Sequence, residues 1–408
     1  MTNLKDSGVY WLGEVADDFD IVPSTIVFKE RSDKNLEDDV HLTPSQKYGV
    51  LPQDKYQEIT GGKVMQKLSN SDMKHVEPDD FVIHLRSFQG GIERSQIRGK
   101  VSTAYTVLEP RDGVFTGYWR YFLKSAPFIE GMASSTDQLR DGQTINYARF
   151  SRLKLLRPPL ETQRRIADYL DKEISEMDAL IEEFEGLSKN LGIRKRLLID
   201  SIFEENVPRL ALKFLADFIP GFAFPSTSFT DDPNCTFLFR GVNLKPGIID
   251  PTDSLYFDGS IDVPERYVLQ EGDVVLGMDR PFIKSGVRVA TISQEFEGSY
   301  LVQRVLKIEG RTDAYTRLFA YALSSSHFID HITPDFTGIS VPHLSAEQVG
   351  NFSVPLLSES EAQRTVERLD GEFENTNSLI EESTRLIENL KARKTALITE
   401  VVTGRKEV

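Results

Sequence analysis

Cysteine is almost absent from this sequence, which has a single one, Cys235, among 408 residues. A disulfide scaffold and a thiolate metal cluster each need at least two cysteines, so both are excluded. Cys235 opens the apolar run Cys235-Thr-Phe-Leu-Phe, which predicts a buried small side chain rather than a nucleophile. The His-Glu-x-x-His pattern is also missing, so we expect no zinc site.

Long apolar runs are missing as well. No stretch approaches the ~18 consecutive apolar residues that a membrane-spanning helix needs. The first twenty residues have no basic segment followed by an apolar one, so we expect no signal peptide. The sequence therefore predicts a soluble, cytoplasmic protein without a membrane partner.

The motifs of common nucleotide- and DNA-modifying enzymes are absent too. There is no phosphate-binding Gly-x-x-x-x-Gly-Lys-Ser/Thr loop. The one Pro-Pro pair, Pro158-Pro159, follows Arg157 rather than the Asn or Asp of an adenine-methylation motif. We therefore expect no catalytic residues, no metal and no bound cofactor in this chain. A nuclease or methyltransferase with a divergent active site is the alternative, and it would be active as the isolated chain.

Positive charge is in deficit, since 48 Lys and Arg stand against 63 Asp and Glu and give a net charge of −15. On its face this argues against nucleic acid, because phosphate binding needs clustered Lys and Arg. The deficit is uneven, however. Residues 1–45 and 207–358 are each net −6, whereas residues 46–161 hold 17 basic and 13 acidic residues, a net of +4. The local counts leave room for basic surfaces.

The chain carries an internal repeat. Two long segments, roughly 161–205 and 359–402, align at a constant offset of 199 residues. Leu170-Asp171 matches Leu369-Asp370, and Leu180-Ile-Glu-Glu matches Leu379-Ile-Glu-Glu. A shared run of this length at one offset indicates duplication.

Each repeated segment predicts a helix of about 40 residues, hence about 60 Å long. Each follows a proline hinge, Arg157-Pro-Pro-Leu or Val354-Pro-Leu-Leu, after which the helix should start. Apolar residues recur at seven-residue spacing, with Leu180 and Leu187 on the +3 side of the first stripe. This pattern is typical of a coiled coil. The simplest partner for each helix is the other one, and two separate surface helices are the alternative. Thr376 and Ser383 interrupt the second stripe, so neither helix is expected to be stable alone. The candidate pairing residues are Leu170, Met177, Phe184, Leu191, Leu198, Phe373, Ile380, Ile387, Leu390 and Leu397.

The regions before the two helices share landmarks in the same order, among short β-type runs. Glu77-Pro-Asp-Asp-Phe-Val-Ile corresponds to Gln270-Glu-Gly-Asp-Val-Val-Leu, a turn leading into a buried strand. Tyr118-Trp-Arg-Tyr-Phe corresponds to Tyr315-Thr-Arg-Leu-Phe, a short amphipathic helix. The sequence thus predicts an α+β fold with two mixed α/β domains, two long helices and an internal pseudo-twofold repeat. The predicted divisions are domain 1–157, helix 158–206, domain 207–355 and helix 356–408.

Five strings carry a family resemblance. They are Lys5-Asp-Ser-Gly-Val-Tyr-Trp-Leu-Gly-Glu, Pro159-Leu-Glu-Thr-Gln-Arg-Arg-Ile-Ala-Asp-Tyr-Leu-Asp, Gly221-Phe-Ala-Phe, Glu271-Gly-Asp-Val-Val-Leu and Val402-Thr-Gly-Arg. Together with the layout, they resemble the specificity (S) subunit of type I restriction–modification enzymes. The likeness covers the whole chain and is most specific in the helices.

The resemblance implies that each domain is a target recognition domain that reads one half of a split site in double-stranded DNA. It implies that the helices pair antiparallel as a spacer and dock methyltransferase subunits. The pseudo-twofold repeat suggests two such subunits, with restriction/translocase subunits as further candidate partners. S-adenosylmethionine, ATP and magnesium would be bound by those partners. Thr365 and Val366 stand where the first copy has Ile166 and Ala167, so the second docking surface is expected to differ.

Candidate DNA contacts follow from side-chain chemistry, since Arg and Lys hold phosphates or read guanine and Gln can pair with adenine. The first domain offers Arg86, Ser87, Gln89, Arg94, Gln96, Arg98 and Lys100, and the matching loop of the second offers Arg280, Lys284 and Arg288. Weaker candidates are Arg140, Gln143, Asn146, Tyr147, Arg240, Asn243, Lys245, Gln303 and Arg304. A solvated hairpin is the alternative for the first two loops, and a role in holding turns is the alternative for the weaker set.

A rigid helix pair would fix the distance between two readers. About 60 Å corresponds to between one and two turns of duplex at roughly 34–36 Å each. The recognised site should then have two short, different parts around a non-specific spacer. The acidic second domain favours another hypothesis, a coiled-coil scaffold with vestigial recognition domains.

Overall fold

The structure is a computed structural model that describes residues 3–61, 73–84, 87–134, 145–203, 207–336 and 342–408. It divides into two compact units. The first combines Met1–Phe184 with Arg385–Val408, and the second is Glu185–Thr384. Both divisions fall inside long helices, so each unit contains one α/β domain and parts of both helices. None of the helices in the described ranges is long and apolar enough to cross a bilayer.

The long helices are Leu160–Asp200 and Glu359–Val402. The first begins directly after Pro158-Pro159, and the second begins four residues after Pro355. The residue before a proline disfavours the helical conformation, so each helix starts only after the proline, as predicted. The first helix is shorter than predicted. It ends at Asp200 and continues as a 3₁₀ turn over Ser201–Phe203, and residues 204–206 lie outside the described part of the chain.

The first unit is built mainly from short strands. These are Leu4–Asp6, Glu14–Ala16, Asp20–Pro23, Phe28–Glu30, Leu42–Ser45, Gly49–Pro52, Lys74–Val76, Phe81–Ile83, Glu93–Arg94, Gly99–Val101, Thr106–Pro110 and Lys154–Arg157. Its short helices are Ser24–Val27, Gln53–Thr60, Ser87–Gly90, Thr116–Phe122, Ala126–Ser134 and Tyr147–Phe150.

The second unit has the same character. Its strands are Arg209–Ala211, Ala216–Pro220, Phe229–Thr230, Thr236–Phe239, Leu244–Lys245, Ile248–Ile249, Tyr256–Phe257, Val274–Gly277, Phe282–Ile283, Gly286–Val287, Val289–Thr291, Tyr300–Leu301, Val305–Gly310 and Ser353–Pro355. Its short α-helices are Asp313–Leu323, Ser326–Ile332 and Ala346–Gly350. Its further 3₁₀ turns are Leu212–Phe214, Ser226–Ser228, Gly241–Asn243, Pro251–Asp253, Glu265–Tyr267, Gln294–Phe296 and Thr333–Phe336.

One four-stranded antiparallel sheet recurs in both units. In the first unit its order is Phe28–Glu30, Thr106–Pro110, Phe81–Ile83, Glu93–Arg94. In the second unit its order is Ala216–Pro220, Val305–Gly310, Val274–Gly277, Val289–Thr291. The strands predicted to follow the matching turns, Phe81–Ile83 and Val274–Gly277, are third in each order and fully buried.

A short amphipathic helix packs against each sheet, as predicted. In the first unit Tyr118, Trp119 and Phe122 are at most 1% exposed and lie on one face because they are spaced i, i+1 and i+4. Trp119 meets Phe28 of the sheet edge-on, with ring centroids 5.6 Å apart. In the second unit the helix Asp313–Leu323 buries Phe319 in the same way.

The same polar contact joins each short helix to a long one. Asp171 accepts hydrogen bonds from Arg120 and from the Tyr121 hydroxyl at 2.5 Å. The repeat-related Asp370 accepts from Arg317 and from the Tyr321 hydroxyl, also at 2.5 Å. The matching Leu-Asp pairs of the sequence therefore mark where each domain is anchored to its helix.

Within each unit the long helices run antiparallel. In the first unit Lys394 Nζ donates to Asp178 at 2.6 Å and Lys406 Nζ donates to Tyr169 Oη at 2.9 Å. In the second unit Lys195 Nζ donates to Asn377 at 2.7 Å, and Ile202 shares a core with Val366 and Leu369. As numbering rises along one helix, its partners fall along the other.

The pairing residues predicted from heptad spacing fall into a buried group and a half-buried group. Leu170, Met177, Leu191 and Leu397 are buried, and Phe184, Leu198, Phe373, Ile380, Ile387 and Leu390 are half-buried. Thr376 and Ser383 are both 3% exposed and donate their hydroxyls to the carbonyls of Glu372 and Leu379 at 2.7 Å. The expected interruptions are thus inward positions that satisfy their own polar groups.

Three further expectations need correction. Leu180 and Leu187, which the spacing placed in the first helix's stripe, are 43% and 41% exposed. Cys235 is only half-buried and precedes the strand Thr236–Phe239. It is therefore not the buried residue that its apolar neighbours indicated.

Candidate nucleic-acid interface

The structure describes the predicted loop of the first domain from Ser87 onward. Arg86 lies outside the described part of the chain. Ser87 is fully buried, and its hydroxyl accepts from the His84 amide at 2.8 Å. Gln89, on the helix Ser87–Gly90, and Gln96, in the following turn, are exposed. The two glutamines are therefore available to a ligand, whereas Ser87 holds the loop.

The arginines of this loop are paired with carboxylates. Arg94 donates to Asp79 from Nε at 2.7 Å and also from Nη2. Asp79 has a positive φ of 75° where the repeat has Gly272, with a φ of 90°. A non-glycine residue there is strained. The carboxylate that holds Arg94 therefore stands on a strained turn, and reading DNA with Arg94 would require this pair to open.

Arg98 belongs to a second network of hydrogen bonds, in which Asp39 contacts both Arg98 and His75. Arg98 Nε donates to Asp39 at 3.1 Å, and its Nη2 also reaches Asp38. His75 is 5% exposed and lies 2.7 Å from Asp39 at Nδ1 and 2.7 Å from Glu77 at Nε2. Burial opposes the charge, but hydrogen bonds to Asp39 and Glu77 raise the pKa of His75 above its ordinary value. The sequence missed this network because its members are far apart in the chain.

Other candidates of the first domain have local structural duties. Lys100 is 6% exposed in the strand Gly99–Val101. Asn146 caps the helix Tyr147–Phe150 by accepting from the Arg149 amide at 3.1 Å, and the Tyr147 hydroxyl donates to the Phe28 carbonyl at 3.3 Å. Arg140 and Gln143 lie outside the described residues.

The second domain places its candidate loop on a hairpin. Strands Phe282–Ile283 and Gly286–Val287 pair, and the exposed Lys284 stands at their turn. Arg288 is half-buried, and it donates to the Leu244 carbonyl at 2.8 Å and to the Asp279 carbonyl at 3.0 Å. Burial lowers the pKa of Arg288, and the neighbouring charge of Arg280 lowers it further. The positive charge of Arg280 therefore acts on the Arg288 guanidinium.

Arg304 lies near Arg280 and Arg288 but belongs to the connection between the strands Tyr300–Leu301 and Val305–Gly310. Its Nη1 lies 3.2 Å from Nε2 of His343 and 4.0 Å from Asp279, and His343 Nδ1 lies 2.7 Å from the same Asp279 carboxylate. Backbone hydrogen bonds hold the segments together, from Met278 N to Arg304 O at 2.9 Å and from Arg280 N to Pro342 O at 2.8 Å. We call this group of Arg280, Lys284, Arg288, Arg304, His343 and Asp279 the arginine cluster.

Two members of the arginine cluster have unusual backbones. Arg280 has a φ of 46° and Arg304 a φ of 73°, both in the left-handed region that disfavours side chains. Strained residues of this kind persist where surrounding contacts fix them, and they concentrate at functional sites. Both side chains are exposed. The cluster therefore presents fixed positive charge to solvent.

The remaining candidates of the second domain surround the arginine cluster. Asn243 is 1% exposed and donates to the carbonyls of Asp250 and Asp253 at 3.1 Å. Arg240 and Lys245 are paired with Asp253 and Asp250 at 3.3 and 3.8 Å. Gln303 is exposed next to Arg304. Asn243 thus holds the turn, and Gln303 is free to reach a ligand.

The two domains differ in a way that their total charges conceal. Residues 46–161, which hold most of the first domain, are net +4, yet Arg94 and Arg98 are neutralised by neighbouring carboxylates. The second domain is net acidic, yet within the arginine cluster, as far as the structure describes it, Asp279 is the one acid beside Arg280, Arg288 and Arg304. Phosphate and guanine are the ligands that such a cluster suits. In the described ranges, no three His, Cys, Asp or Glu side chains are grouped to hold a metal ion.

Comparison with known proteins places the chain among its relatives. No family model matches the sequence. The type I restriction enzyme EcoAI specificity subunit of Escherichia coli is 30% identical over 220 residues, 51% of this chain and 37% of that protein. The MjaVIII specificity subunit of Methanocaldococcus jannaschii is 24% identical over 363 residues, 84% of this chain and 82% of that protein. The matched region thus spans well under half of the first relative and most of the second.

Solved structures share the fold. A chain from a study of complex assembly and conformational transition of the type I R-M system superposes with a TM-score of 0.69 at 13% identity, covering 95% of this chain and 98% of that chain. The HsdS subunit of Thermoanaerobacter tengcongensis superposes with a TM-score of 0.52 at 14% identity, covering 96% and 98%.

The fold defines a protein with two mixed α/β domains and two long antiparallel helices, so the predicted α+β class is confirmed. The predicted resemblance is confirmed as well, because the chain is related in sequence to the specificity subunits of type I restriction–modification systems.

Proposed function

We propose that this chain is the DNA-sequence-specificity subunit of a type I restriction–modification complex. In this role it has no catalytic residues. It recognises a split, asymmetric site in double-stranded DNA and positions two methyltransferase subunits on it, with restriction/translocase subunits added in a system that cleaves. S-adenosylmethionine, ATP and magnesium belong to those partners. The arginine cluster carries this proposal, because it gives an acidic domain an exposed, fixed basic site.

The two domains would act as separate readers. Residues 1–157 and 207–355 are the proposed target recognition domains, and residues 158–206 and 356–408 form the proposed spacer. Arg280, Lys284 and Arg304 would contact bases or phosphates, with Gln303 beside them, while Arg288 and Asn243 hold the loop. In the first domain Gln89 and Gln96 are directly accessible, and Arg94 and Arg98 would exchange carboxylates for phosphates on binding.

A methylation experiment tests the proposal. The native chain, combined with its methyltransferase subunits, should modify adenines only within one split motif, which sequencing of modified bases would define. Arg280→Ala and Arg304→Ala should each weaken binding to that motif by about 1–3 kcal/mol and relax discrimination in one half-site. Arg266→Ala is the matched control, because Arg266 is an exposed arginine of the same domain that stacks on Tyr267 and is not a member of the arginine cluster.

Two outcomes would contradict the proposal. Methylation or cleavage by the isolated chain would favour a divergent enzyme. Unchanged binding after charge reversal of Arg94 with Arg98, or of Lys284 with Arg288, would favour a scaffold with vestigial recognition domains.

A further inference from the structure

Two open depressions lie at repeat-related places, one in each unit. In the second unit a depression of about 290 Å³ is lined by Glu361, Arg364, Thr365 and Arg368 of the second long helix, with Ser201 and Ile202 opposite. In the first unit a depression of about 100 Å³ is lined by Thr162, Arg165 and Ile166, with Val401 opposite. Adding the offset of 199 to each of these first-unit helix positions gives 361, 364 and 365, so the two depressions are counterparts.

The first-unit depression is narrowed by the chain itself. Lys406, Glu407 and Val408 form part of its wall, and Lys406 Nζ donates to Tyr169 Oη at 2.9 Å while lying 5.3 Å from the Tyr169 ring centroid. Its charged lining is balanced, because Arg165 and Lys406 stand with Asp18 and Glu407.

The second-unit depression is wider and more basic. Arg368 occupies the position that corresponds to Tyr169, so a cation replaces the aromatic ring. Glu361 accepts hydrogen bonds from the Ser358 amide at 2.8 Å and from the Ser358 hydroxyl at 2.6 Å, and the charge of Arg364 also acts on its carboxylate. Arg364 and Arg368 are exposed and have no ion pair among the described residues. Two arginines one helical turn apart, beside the hydroxyls of Thr365 and Ser201, suit a carboxylate.

We propose that this depression receives an acidic side chain of a partner protein, and that it is a docking point stronger in charge than its counterpart in the first unit. Leu379 extends the same surface. It is 47% exposed and follows Arg368 by 11 residues, hence by about three turns and ~16 Å along the same helix face. The fitting partner therefore presents a carboxylate and an apolar side chain with that separation. The proposal rests on the proposed function for the identity of the partner, a methyltransferase subunit.

The test is the stepwise binding of the methyltransferase subunit to the full chain, followed by native mass spectrometry and light scattering between about 0.05 and 0.3 M NaCl. Arg364→Gln with Arg368→Gln keeps helix propensity and should weaken one of two binding steps about tenfold, with loss of its salt dependence. Arg368→Lys should retain most of the affinity, because the charge remains. Arg196→Gln is the matched control, an exposed arginine of the first long helix in the same unit that does not line the depression.

The outcomes separate this inference from the proposed function. Two unchanged binding steps in the double variant would overturn the inference alone. A native chain that binds no methyltransferase subunit would overturn both. A native chain without DNA discrimination, together with one weakened binding step in the double variant, would count against the proposed function while supporting the docking point.

Discussion

His75 stands between two carboxylates in the first domain, and its protonation links Asp39 with Glu77. Arg98 approaches the same Asp39, and Lys100 is the strand neighbour of His75. Because contacts with the two acids raise the pKa of His75 above 6.5, its folded state binds the proton more tightly than its unfolded state. The stabilisation is complete below about pH 6.5 and is lost as pH rises through the folded value.

We therefore expect the first unit to become less stable as the pH rises above about 6.5 and through the folded pKa of His75. The free energy of unfolding in urea can be followed by tryptophan fluorescence, because Trp11 and Trp119 are the two tryptophans of the chain and both are buried in the first unit. His75→Gln should remove most of this slope, and Glu77→Gln should reduce it. An unchanged slope in His75→Gln would show that other groups cause it.

Gly404 is a residue whose replacement should be costly. Its φ is 71°, and a Cβ added there would lie 2.5 Å from Ala16 Cβ and 3.0 Å from the Phe19 ring. The neighbouring Arg405 donates to the carbonyls of Leu12 at 2.7 Å and Glu14 at 2.8 Å. The two sequence strings that begin at Lys5 and Val402 are therefore in contact in the fold.

Gly404→Ala should destabilise the first unit by about 2 kcal/mol, through backbone strain and overpacking. The matched control is Gly371→Ala, since Gly371 lies in a long helix with nothing within 4 Å of an added Cβ. This control should be neutral or stabilising by about 0.5–1 kcal/mol. Thermal unfolding of both variants provides the measurement, and equal midpoints would refute the distinction.

Sequence reasoning at the residue scale identified chemistry better than geometry. Arg280 and Arg304 could be named as candidates because their side chains suit DNA. Their proximity to His343 depends on three segments that meet only in the folded domain. The pairing of Arg94 with Asp79 was likewise hidden, because nothing local distinguishes a free arginine from one held by a carboxylate.

A repeat-related contact between the long helices has a charged acceptor in one unit and a neutral one in the other. Lys394 meets Asp178 in the first unit, whereas the corresponding Lys195 meets Asn377 in the second. Lys195 Nζ also lies 4.7 Å from the Phe373 ring centroid, and burial lowers its pKa. At this position the first unit thus has an ion pair, whereas in the second unit the lysine donates to a neutral amide.

Asn377→Asp should stabilise the second unit by about 0.5 kcal/mol, because the new carboxylate pairs with Lys195 at a largely exposed position. Asp178→Asn is the mirror variant and should destabilise the first unit by a similar amount. Urea unfolding at low and high salt measures both effects, and salt should diminish them. A loss of stability in Asn377→Asp would contradict the comparison.

At the scale of elements the sequence predicted most of the architecture. Heptad spacing and the proline segments located both long helices, since these signals are local. Burial along them was less predictable. Thr376 and Ser383 lie inward because a hydroxyl can bond to the carbonyl one turn earlier, and Leu180 and Leu187 lie outward because heptad spacing does not by itself identify the partner's side.

The molecule as a whole is divided unevenly along the chain. The second unit is continuous, whereas the first is assembled from residues 1–184 and 385–408. Leu397, Val401 and Val402 belong to the same core as Trp11 and Trp119. The first unit therefore depends on the far segment for part of its interior.

Removal of residues 385–408 should consequently unfold or loosen the first unit and shift its tryptophan emission to longer wavelength. The segment 185–384 on its own should retain a cooperative unfolding transition by circular dichroism. Native-like tryptophan emission from residues 1–384 would contradict this division of the chain.

The discontinuity of the first unit also determines when each unit can complete its folding during synthesis. A ribosome that adds roughly 5–20 residues per second needs about 10–40 s to pass from the end of the first segment to the beginning of the last. During that interval the apolar faces of residues 1–184 lack residues 385–408, which complete their core, while residues 185–384 emerge as a continuous stretch. The first unit, whose synthesis begins first, should therefore complete its folding last. Its exposed apolar surface should be bound by chaperones on the nascent chain.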